Sequence, residues 1–182
     1  MSKRTLLNEQ EIQVILQRLT CQLIENHTDF KNTVLIGIQP RGVFLANRIQ
    51  SILQEELKEN APAFGKLDIT FYRDDFRRGD KILEANQTEI NFIVENKHVI
   101  FVDDVLYTGR SIRSALTAIQ SFGRPKTVEL LTLIDRRFSR HLPIQPDYNG
   151  KQVDAINNER VVVKWKENDG EDVVEIIRIN NE

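Results

Sequence analysis

The stretch VIFVDDVLYTGRS, residues 99–111, determines how the rest of the chain is interpreted. Four apolar residues lead directly into two adjacent aspartates, and a short apolar and aromatic bridge leads on to Thr-Gly-Arg-Ser. A short run of β-branched and aromatic residues is typical of a buried strand. The pattern therefore predicts a strand that ends on two carboxylates and then turns at Thr108-Gly109 into a helix.

The two aspartates, Asp103 and Asp104, suit a ligand that carries hydroxyl groups or a metal ion. If the chain stays extended, their side chains point to opposite sides, yet both lie at the rim where the strand emerges. Paired carboxylates at such a rim accept hydrogen bonds from a diol or hold a hydrated Mg²⁺. For the pair considered alone, an N-capping aspartate in an ordinary βα loop is the simpler alternative.

The segment 108–111 has the composition of a phosphate-binding turn. Gly109 allows close approach of the backbone, and Thr108 and Ser111 add hydroxyl donors. A helix that begins here also favours an anion at its N-terminus. These features predict ribose hydroxyls on the two carboxylates and a phosphate in the turn.

Strands and amphipathic helices alternate along the chain, which predicts an α/β protein with a parallel central sheet and helices on both faces. The first helix is predicted to begin at Asn8, with Glu11 completing a capping box. The remaining predictions are strands at 33–38, 66–72, 98–102 and 127–134, helices after 42 and 111, a long mobile loop at about 73–89, and a hairpin around Asp169-Gly170. The third helix is expected to bury Ile112, Ala115, Leu116, Ile119 and Phe122.

Composition limits the classes of protein that fit. The 182 residues suit one domain, 1–182, and a net charge of −2 gives no footprint for bulk nucleic-acid binding. A single cysteine excludes an internal disulfide framework, and the three histidines show no metal-ligand spacing. The first residues include no apolar targeting segment, so the protein is expected in the cytoplasm with no membrane partner.

Ligands of parallel α/β sheets bind outside the carboxyl ends of the strands. The predicted strands therefore place four polar segments along one edge, at 39–42, 73–75, 103–111 and 135–137. Taken singly, Arg41 is compatible with a solvated turn residue, and Arg73 with a surface ion-pair cluster. A P-loop ATPase is excluded because Val43-Phe44 stands where that motif needs Lys-Ser/Thr.

The decisive stretch is similar to the PRPP-binding motif of type I phosphoribosyltransferases, where PRPP is 5-phosphoribosyl 1-pyrophosphate. Five further segments resemble, in order and spacing, the PyrR family of pyrimidine operon regulators with uracil phosphoribosyltransferase activity. They are IGIQPRG (36–42), ITFYRDD (69–75), GRPKTVEL (123–130), LIDRR (133–137) and LPIQPDYNGK (142–151). The resemblance implies a type I phosphoribosyltransferase fold with a small hood and a flexible loop.

The resemblance also implies a role for each polar segment. Asp103 and Asp104 would bind the ribose hydroxyls, directly or through metal-bound water. The 5′-phosphate would lie in a cradle formed by Leu106, Tyr107, Thr108, Gly109, Arg110 and Ser111. The pyrophosphate would meet Pro40, Arg41 and Gly42. The flexible loop would begin with Tyr72, Arg73, Asp74 and Asp75, and the base hood with Asp135, Arg136 and Arg137, completed by the C-terminal hairpin. No residue is nominated as general base for uracil.

The implied reaction converts uracil and PRPP to UMP and pyrophosphate with Mg²⁺, in a homodimer or larger homo-oligomer. Three departures from the family pattern bear on it: Arg137 stands where a glycine is common, the segment RFSRH is one residue longer, and Pro40 often has threonine as its counterpart. Pro40 removes a backbone donor from the pyrophosphate loop, and the Gln39-Pro40 bond is a candidate for the cis form.

Two alternatives stay open at the level of sequence. The first is a UMP- or PRPP-sensing regulator that binds leader RNA and has little catalysis, although the predicted first helix has only one arginine, Arg18, for phosphate contacts. The second is a purine-type phosphoribosyltransferase, which would use hypoxanthine or guanine instead of uracil.

Overall fold

The chain forms two sheets and four α-helices within residues 3–75, 85–155 and 158–178, which the computed structural model describes. In chain order the elements are β1 (Lys3–Leu7), α1 (Glu9–Asn26), β2 (Thr33–Ile38), α2 (Gly42–Leu57), β3 (Ala63–Leu67), β4 (His98–Leu106), α3 (Arg110–Ile119), β5 (Thr127–Arg136), β6 (Tyr148–Val153), β7 (Glu159–Lys164), α4 (Lys166–Asp169) and β8 (Val173–Arg178). Short 3₁₀ turns lie at Phe30–Asn32, Lys58–Asn60, Thr70–Tyr72 and Gln120–Phe122.

Five strands form a parallel sheet in the order β3-β2-β4-β5-β6. Apolar residues of α1 and α2, such as Leu19 and Leu45, pack with Leu131 on one face. On the other face Ile112 of α3 packs with Phe101. The predicted α/β architecture with helices on both faces is therefore confirmed, and it brings the carboxyl ends of all five strands to one edge.

Helix α1 begins as the sequence predicts. The Asn8 side chain accepts a hydrogen bond from the backbone N–H of Glu11 at 2.9 Å, and the Glu11 carboxylate accepts one from the N–H of Asn8 at 2.8 Å. This reciprocal capping box satisfies two donors that the first turn of a helix otherwise leaves unpaired.

The second sheet has the order β1-β8-β7 and contains the predicted C-terminal hairpin. Strands β7 and β8 pair antiparallel, and the connection between them contains α4, which ends at Gly170 with a left-handed φ of 80°. Strand β1 joins the outer edge of β8, also antiparallel. The sequence analysis did not anticipate β1, because its partner lies at the opposite end of the chain.

The strand predicted at 66–72 is wrong in position: β3 covers Ala63–Leu67. The Asp68 carboxylate accepts hydrogen bonds from the backbone N–H of Thr70 at 3.2 Å and from its hydroxyl at 2.7 Å. A side chain that binds the backbone two residues on closes a turn and competes with the sheet ladder. The β-branched and aromatic residues that follow are therefore in a 3₁₀ turn.

Strands β4 and β5 are longer than predicted, and they continue through Leu106 and Arg136. Strand β6 was missed altogether. In α3 the predicted stripe is only partly buried, since Leu116 and Phe122 are exposed. Phe122 lies beyond the end of α3 in the following 3₁₀ turn, so the 3.6-residue period no longer directs it to the core.

The predicted loop at 73–89 is described at its two ends, 73–75 and 85–89, and the rest of it lies outside the described residues. Its described part has no helix or strand beyond an isolated bridge between Glu89 and Lys66 of β3. Among the helices within the three described ranges, none has both the length and the apolar composition needed to cross a bilayer.

Candidate active site

The turn after β4 forms a cavity of about 280 Å³ at the carboxyl edge of the parallel sheet. Gly109 precedes α3 with a left-handed φ of 87°, a conformation that favours glycine. The Thr108 hydroxyl accepts a long hydrogen bond of 3.4 Å from the N–H of Arg110. The cavity is lined by Arg73, Asp75, Asp103, Val105, Leu106, Tyr107, Thr108, Gly109, Arg110, Ser111 and Ile112. All six residues predicted to form the phosphate cradle thus line one cavity.

The two aspartates lie inside β4, which stays extended, and only Asp103 lines this cavity. Asp104 instead contacts Arg41, with 3.4 Å between its Oδ2 and the arginine Nε. Burial raises the pKa of Asp103 well above its ordinary value, and the neighbouring Asp104 raises it further. Burial also raises the pKa of Asp104, although Arg41 opposes this rise. A ligand that supplies hydrogen-bond donors or a cation would stabilise the ionised form of both carboxyl groups.

The loop after β2 fits closely against the end of β4. A Cβ atom on Gly42 would lie 2.4 Å from the carbonyl oxygen of Val102 and 2.9 Å from the Cα of Asp103. Only glycine therefore lets the first turn of α2 approach the aspartates this closely. The Gln39-Pro40 peptide bond is cis, the form for which the sequence made it a candidate.

Arg41 lies between the aspartates and the C-terminal hairpin. Its Nη2 donates to the Asp169 carboxylate at 2.8 Å and to the carbonyl oxygen of Val163. The Asp169 carboxylate also accepts the N–H of Trp165 at 2.9 Å. The hairpin thus contributes a carboxylate to the predicted pyrophosphate loop. Sequence reasoning missed this role, since Asp169 was noticed only as part of a turn signal.

The segment 72–75 divides between two surroundings. Arg73 donates twice to the Asp75 carboxylate, at 2.8 and 2.6 Å, and both residues line the phosphate cavity. The Asp74 carboxylate accepts hydrogen bonds from Arg110, beside the turn, and from Arg113 at 2.5 Å. The Tyr72 hydroxyl lies 3.3 Å from that of Ser121, next to α3. Tyr72 is not among the residues that line the phosphate cavity.

The three predicted hood residues have different surroundings. Asp135 and Arg136 are the last residues of β5, so the irregular hood segment begins later than predicted, at Arg137. The Arg136 guanidinium lies over the Tyr107 ring, 4.0 Å from its centroid, and donates to the Glu159 carbonyl at 3.0 Å.

Arg137 forms a bidentate pair with Asp154, at 2.7 Å for both contacts. Asp135 pairs with Arg140, a residue that the sequence analysis did not single out. Asp135, Arg137 and Arg140 line a second cavity of about 400 Å³ together with Phe138, residues 143–146, Asn149 and Gln152. The arginine at 137 is therefore directed to an ion pair at the hood surface.

The chain matches the family model of the phosphoribosyl transferase domain over residues 2–168. It is 45% identical to the bifunctional protein PyrR of Desulfosudis oleivorans, with 96% of each chain covered. It is 42% identical to the protein of the same name from Limosilactobacillus fermentum, covering 91% of this chain and 92% of the relative.

Solved structures agree on the fold. A hypoxanthine phosphoribosyl transferase of Trypanosoma cruzi superposes with a TM-score of 0.73 at 15% identity, covering 96% of this chain and 91% of the other. A hypoxanthine phosphoribosyltransferase of Staphylococcus aureus gives 0.69 at 23% identity, with coverages of 97% and 93%. At such identities the likeness concerns the fold alone. Together with the family match and the close relatives, it shows that the chain belongs to the phosphoribosyltransferase family and, within it, to the PyrR proteins.

Proposed function

We propose that this chain is a uracil phosphoribosyltransferase that converts uracil and PRPP to UMP and pyrophosphate. The observation that supports it most is the cavity at the carboxyl edge of the sheet, where the phosphate turn, Asp103 and Arg73 line one space. A 5′-phosphate fits the turn because the start of α3 and two hydroxyl groups offer donors to an anion. The ribose hydroxyls fit Asp103, which lines the same cavity.

The departing pyrophosphate would meet the loop after β2. Displacement at C1 of PRPP builds negative charge on the leaving group, and Arg41 and Arg73 would be the cations that stabilise it. Arg41 is already paired with Asp104 and Asp169, so pyrophosphate would compete with two carboxylates for its guanidinium.

The residues present fit a magnesium ion. Asp103 and Asp104 are hard oxygen donors, and a cation would offset the burial that raises the pKa values of both carboxyl groups. Among the described residues no group of three or more His, Cys, Asp or Glu side chains is placed to hold a metal, so most ligands would come from PRPP and water. When bound, Mg²⁺ would supply charge neutralisation for the phosphate oxygens.

The loop that begins at Arg73 would close over the reacting centre, which excludes water and limits hydrolysis of PRPP. Of the predicted hood residues, Asp135 and Arg137 line the cavity in which the base would lie, and Arg136 would support the hood through its contact with the Tyr107 ring. No described side chain is assigned as general base for uracil. The protein would work as a homodimer or larger homo-oligomer in the cytoplasm.

The test is a base-by-base assay of pyrophosphate release from PRPP, with and without Mg²⁺. We expect turnover with uracil that is lost in EDTA and falls at least about 100-fold in Asp103→Asn. Turnover with hypoxanthine or guanine and not with uracil would identify the purine-type alternative. If no base supports turnover above background, the proposed reaction is wrong.

A second candidate function is UMP-responsive binding of leader RNA, because the close relatives are named as bifunctional. The single arginine of α1, Arg18, does not favour it: its Nη2 donates to the carbonyls of Asn149 and Gly150 at 3.0 and 2.6 Å. A gel-shift experiment with pyrimidine-operon leader RNA, with and without UMP, would decide. Tight binding that UMP strengthens supports regulation, and weak binding that UMP does not change rejects it.

A further inference from the structure

The segment that follows β5 holds the back of the phosphate turn. The backbone N–H groups of His141 and Leu142 donate to the carbonyl oxygen of Thr108 at 3.0 and 3.3 Å. Arg140 Nη1 donates to the preceding carbonyl, that of Tyr107, at 2.5 Å. Two consecutive carbonyls of the turn are therefore bound by three donors from one short segment.

Arg140 is itself fixed in place. Its other terminal nitrogen, Nη2, forms an ion pair with Asp135 at the end of β5. Their side chains are only 20% and 6% exposed, so the pair is screened less than a surface salt bridge. The guanidinium thus joins the end of β5 to the turn that follows β4.

The geometry of the peptide bond gives this contact a consequence for anion binding. In a trans peptide the C=O and the next residue's N–H point in opposite directions. Holding the Tyr107 and Thr108 carbonyls on one side therefore directs the N–H groups of Thr108 and Gly109 to the other. Those two residues line the cavity assigned to the 5′-phosphate. The same contacts keep two carbonyl oxygens, which would repel a phosphate, away from it.

We propose that Arg140 is a positioning residue that orients the phosphate turn for phosphorylated ligands. It acts through the Tyr107 carbonyl, because its two terminal nitrogens are bound to that carbonyl and to Asp135. This inference rests on the proposed function for the identity of the ligands, PRPP and UMP. It assigns to the hood segment a role in phosphate affinity that is separate from contacts with the base.

The test compares Arg140→Met with Arg18→Met. Arg18 is a matched control because it also donates to two backbone carbonyls, from α1, which packs on the opposite face of the sheet from α3. We expect Arg140→Met to raise the KM for PRPP and the Kd for UMP by about tenfold. The kcat, the KM for uracil and the Kd for uridine, which lacks the phosphate, should change by less than about twofold. Arg18→Met should leave all of these values unchanged.

A second variant keeps the inference testable if Arg140→Met does not fold, which thermal unfolding would reveal. Arg140→Lys keeps a cation for Asp135 but has one nitrogen instead of a planar fork. It should therefore weaken the binding of PRPP and UMP, relative to uracil and uridine, by less than Arg140→Met does. Unchanged KM for PRPP and Kd for UMP in the folded variant, or equal losses for UMP and uridine, would overturn the inference. If the wild type binds UMP but has no turnover with any base, the proposed reaction fails while the UMP and uridine comparison still decides the role of Arg140.

Discussion

Replacing Gly42 by alanine probes the contact between the loop after β2 and the end of β4. Gly42 has no left-handed φ, and at the start of a helix alanine alone would be worth up to about 1 kcal/mol over glycine. The added Cβ, however, would lie 2.4 Å from the Val102 carbonyl oxygen and 2.9 Å from the Asp103 Cα. Both are backbone atoms of a central strand, which cannot rotate away.

We therefore expect a net loss of stability of about 1–3 kcal/mol, the usual cost of overpacking. For a chain of this length that loss lowers the melting temperature by about 2–12 °C. The loop must also move away from Asp103, and a displacement of this kind costs about 100-fold in kcat/KM for PRPP. Thermal unfolding and steady-state kinetics measure the two effects on the same preparation.

Gly123→Ala is the matched control. Its Cβ would lie 2.8 Å from the backbone nitrogen of Glu95, and its φ of 124° disfavours any side chain. It should therefore lose stability while the KM for PRPP stays unchanged, because this turn precedes β5 at the opposite edge of the sheet. A Gly42→Ala protein that melts at or above the wild-type temperature with normal PRPP kinetics would refute the steric argument, as would equal kinetic damage in the control.

Three further predictions concern charge. Because the pKa of Asp103 is raised in the folded state, the stability that this group contributes is complete below the ordinary carboxyl pKa and is lost as pH rises through the raised value. The melting temperature of Asp103→Asn minus that of the wild type should therefore increase between pH 4 and pH 8. A difference that stays constant over this range contradicts the argument. Arg48→Met leaves the buried Asp172 carboxylate without its bidentate partner, so the free energy of unfolding measured in urea should fall by about 3–5 kcal/mol. The double variant with Asp172→Asn should recover most of this loss. Asp74→Asn frees Arg110 beside the phosphate turn, so UMP should bind a few-fold more tightly at low salt, and calorimetry at about 0.5 M salt should show no such gain.

Much of the parallel sheet and its edge was predictable because local signals agreed with the final structure. The capping box at Asn8 pairs its hydrogen-bonding groups within three residues, and the apolar run before Asp103 has the composition of a buried strand by itself. The phosphate turn was predictable for the same reason, since Gly109 and its hydroxyl neighbours are contiguous in sequence. Patterns of this kind need no knowledge of distant partners.

The features that were missed depend on partners far away in the chain. Strand β6 reads YNGKQV, in which Asn149-Gly150 is a turn signal, and it is a strand because it pairs with β5. The hydrogen bonds of Asp68 override the β-propensity of the residues after it. Asp169 reaches Arg41 only after the hairpin folds onto the loop after β2. Contacts between residues this far apart in the sequence cannot be predicted from local spacing.

The pairing of β1 with β8 has a consequence for synthesis on the ribosome. Lys3 aligns with Ile177, so the first strand has no partner until nearly the whole chain has emerged. The parallel sheet needs nothing beyond β6 and can assemble first, whereas the outer three-stranded sheet, with the carboxylate that holds Arg41, forms last. We therefore expect nascent chains that stop before β8 to contain the phosphate turn but to leave Arg41 without Asp169.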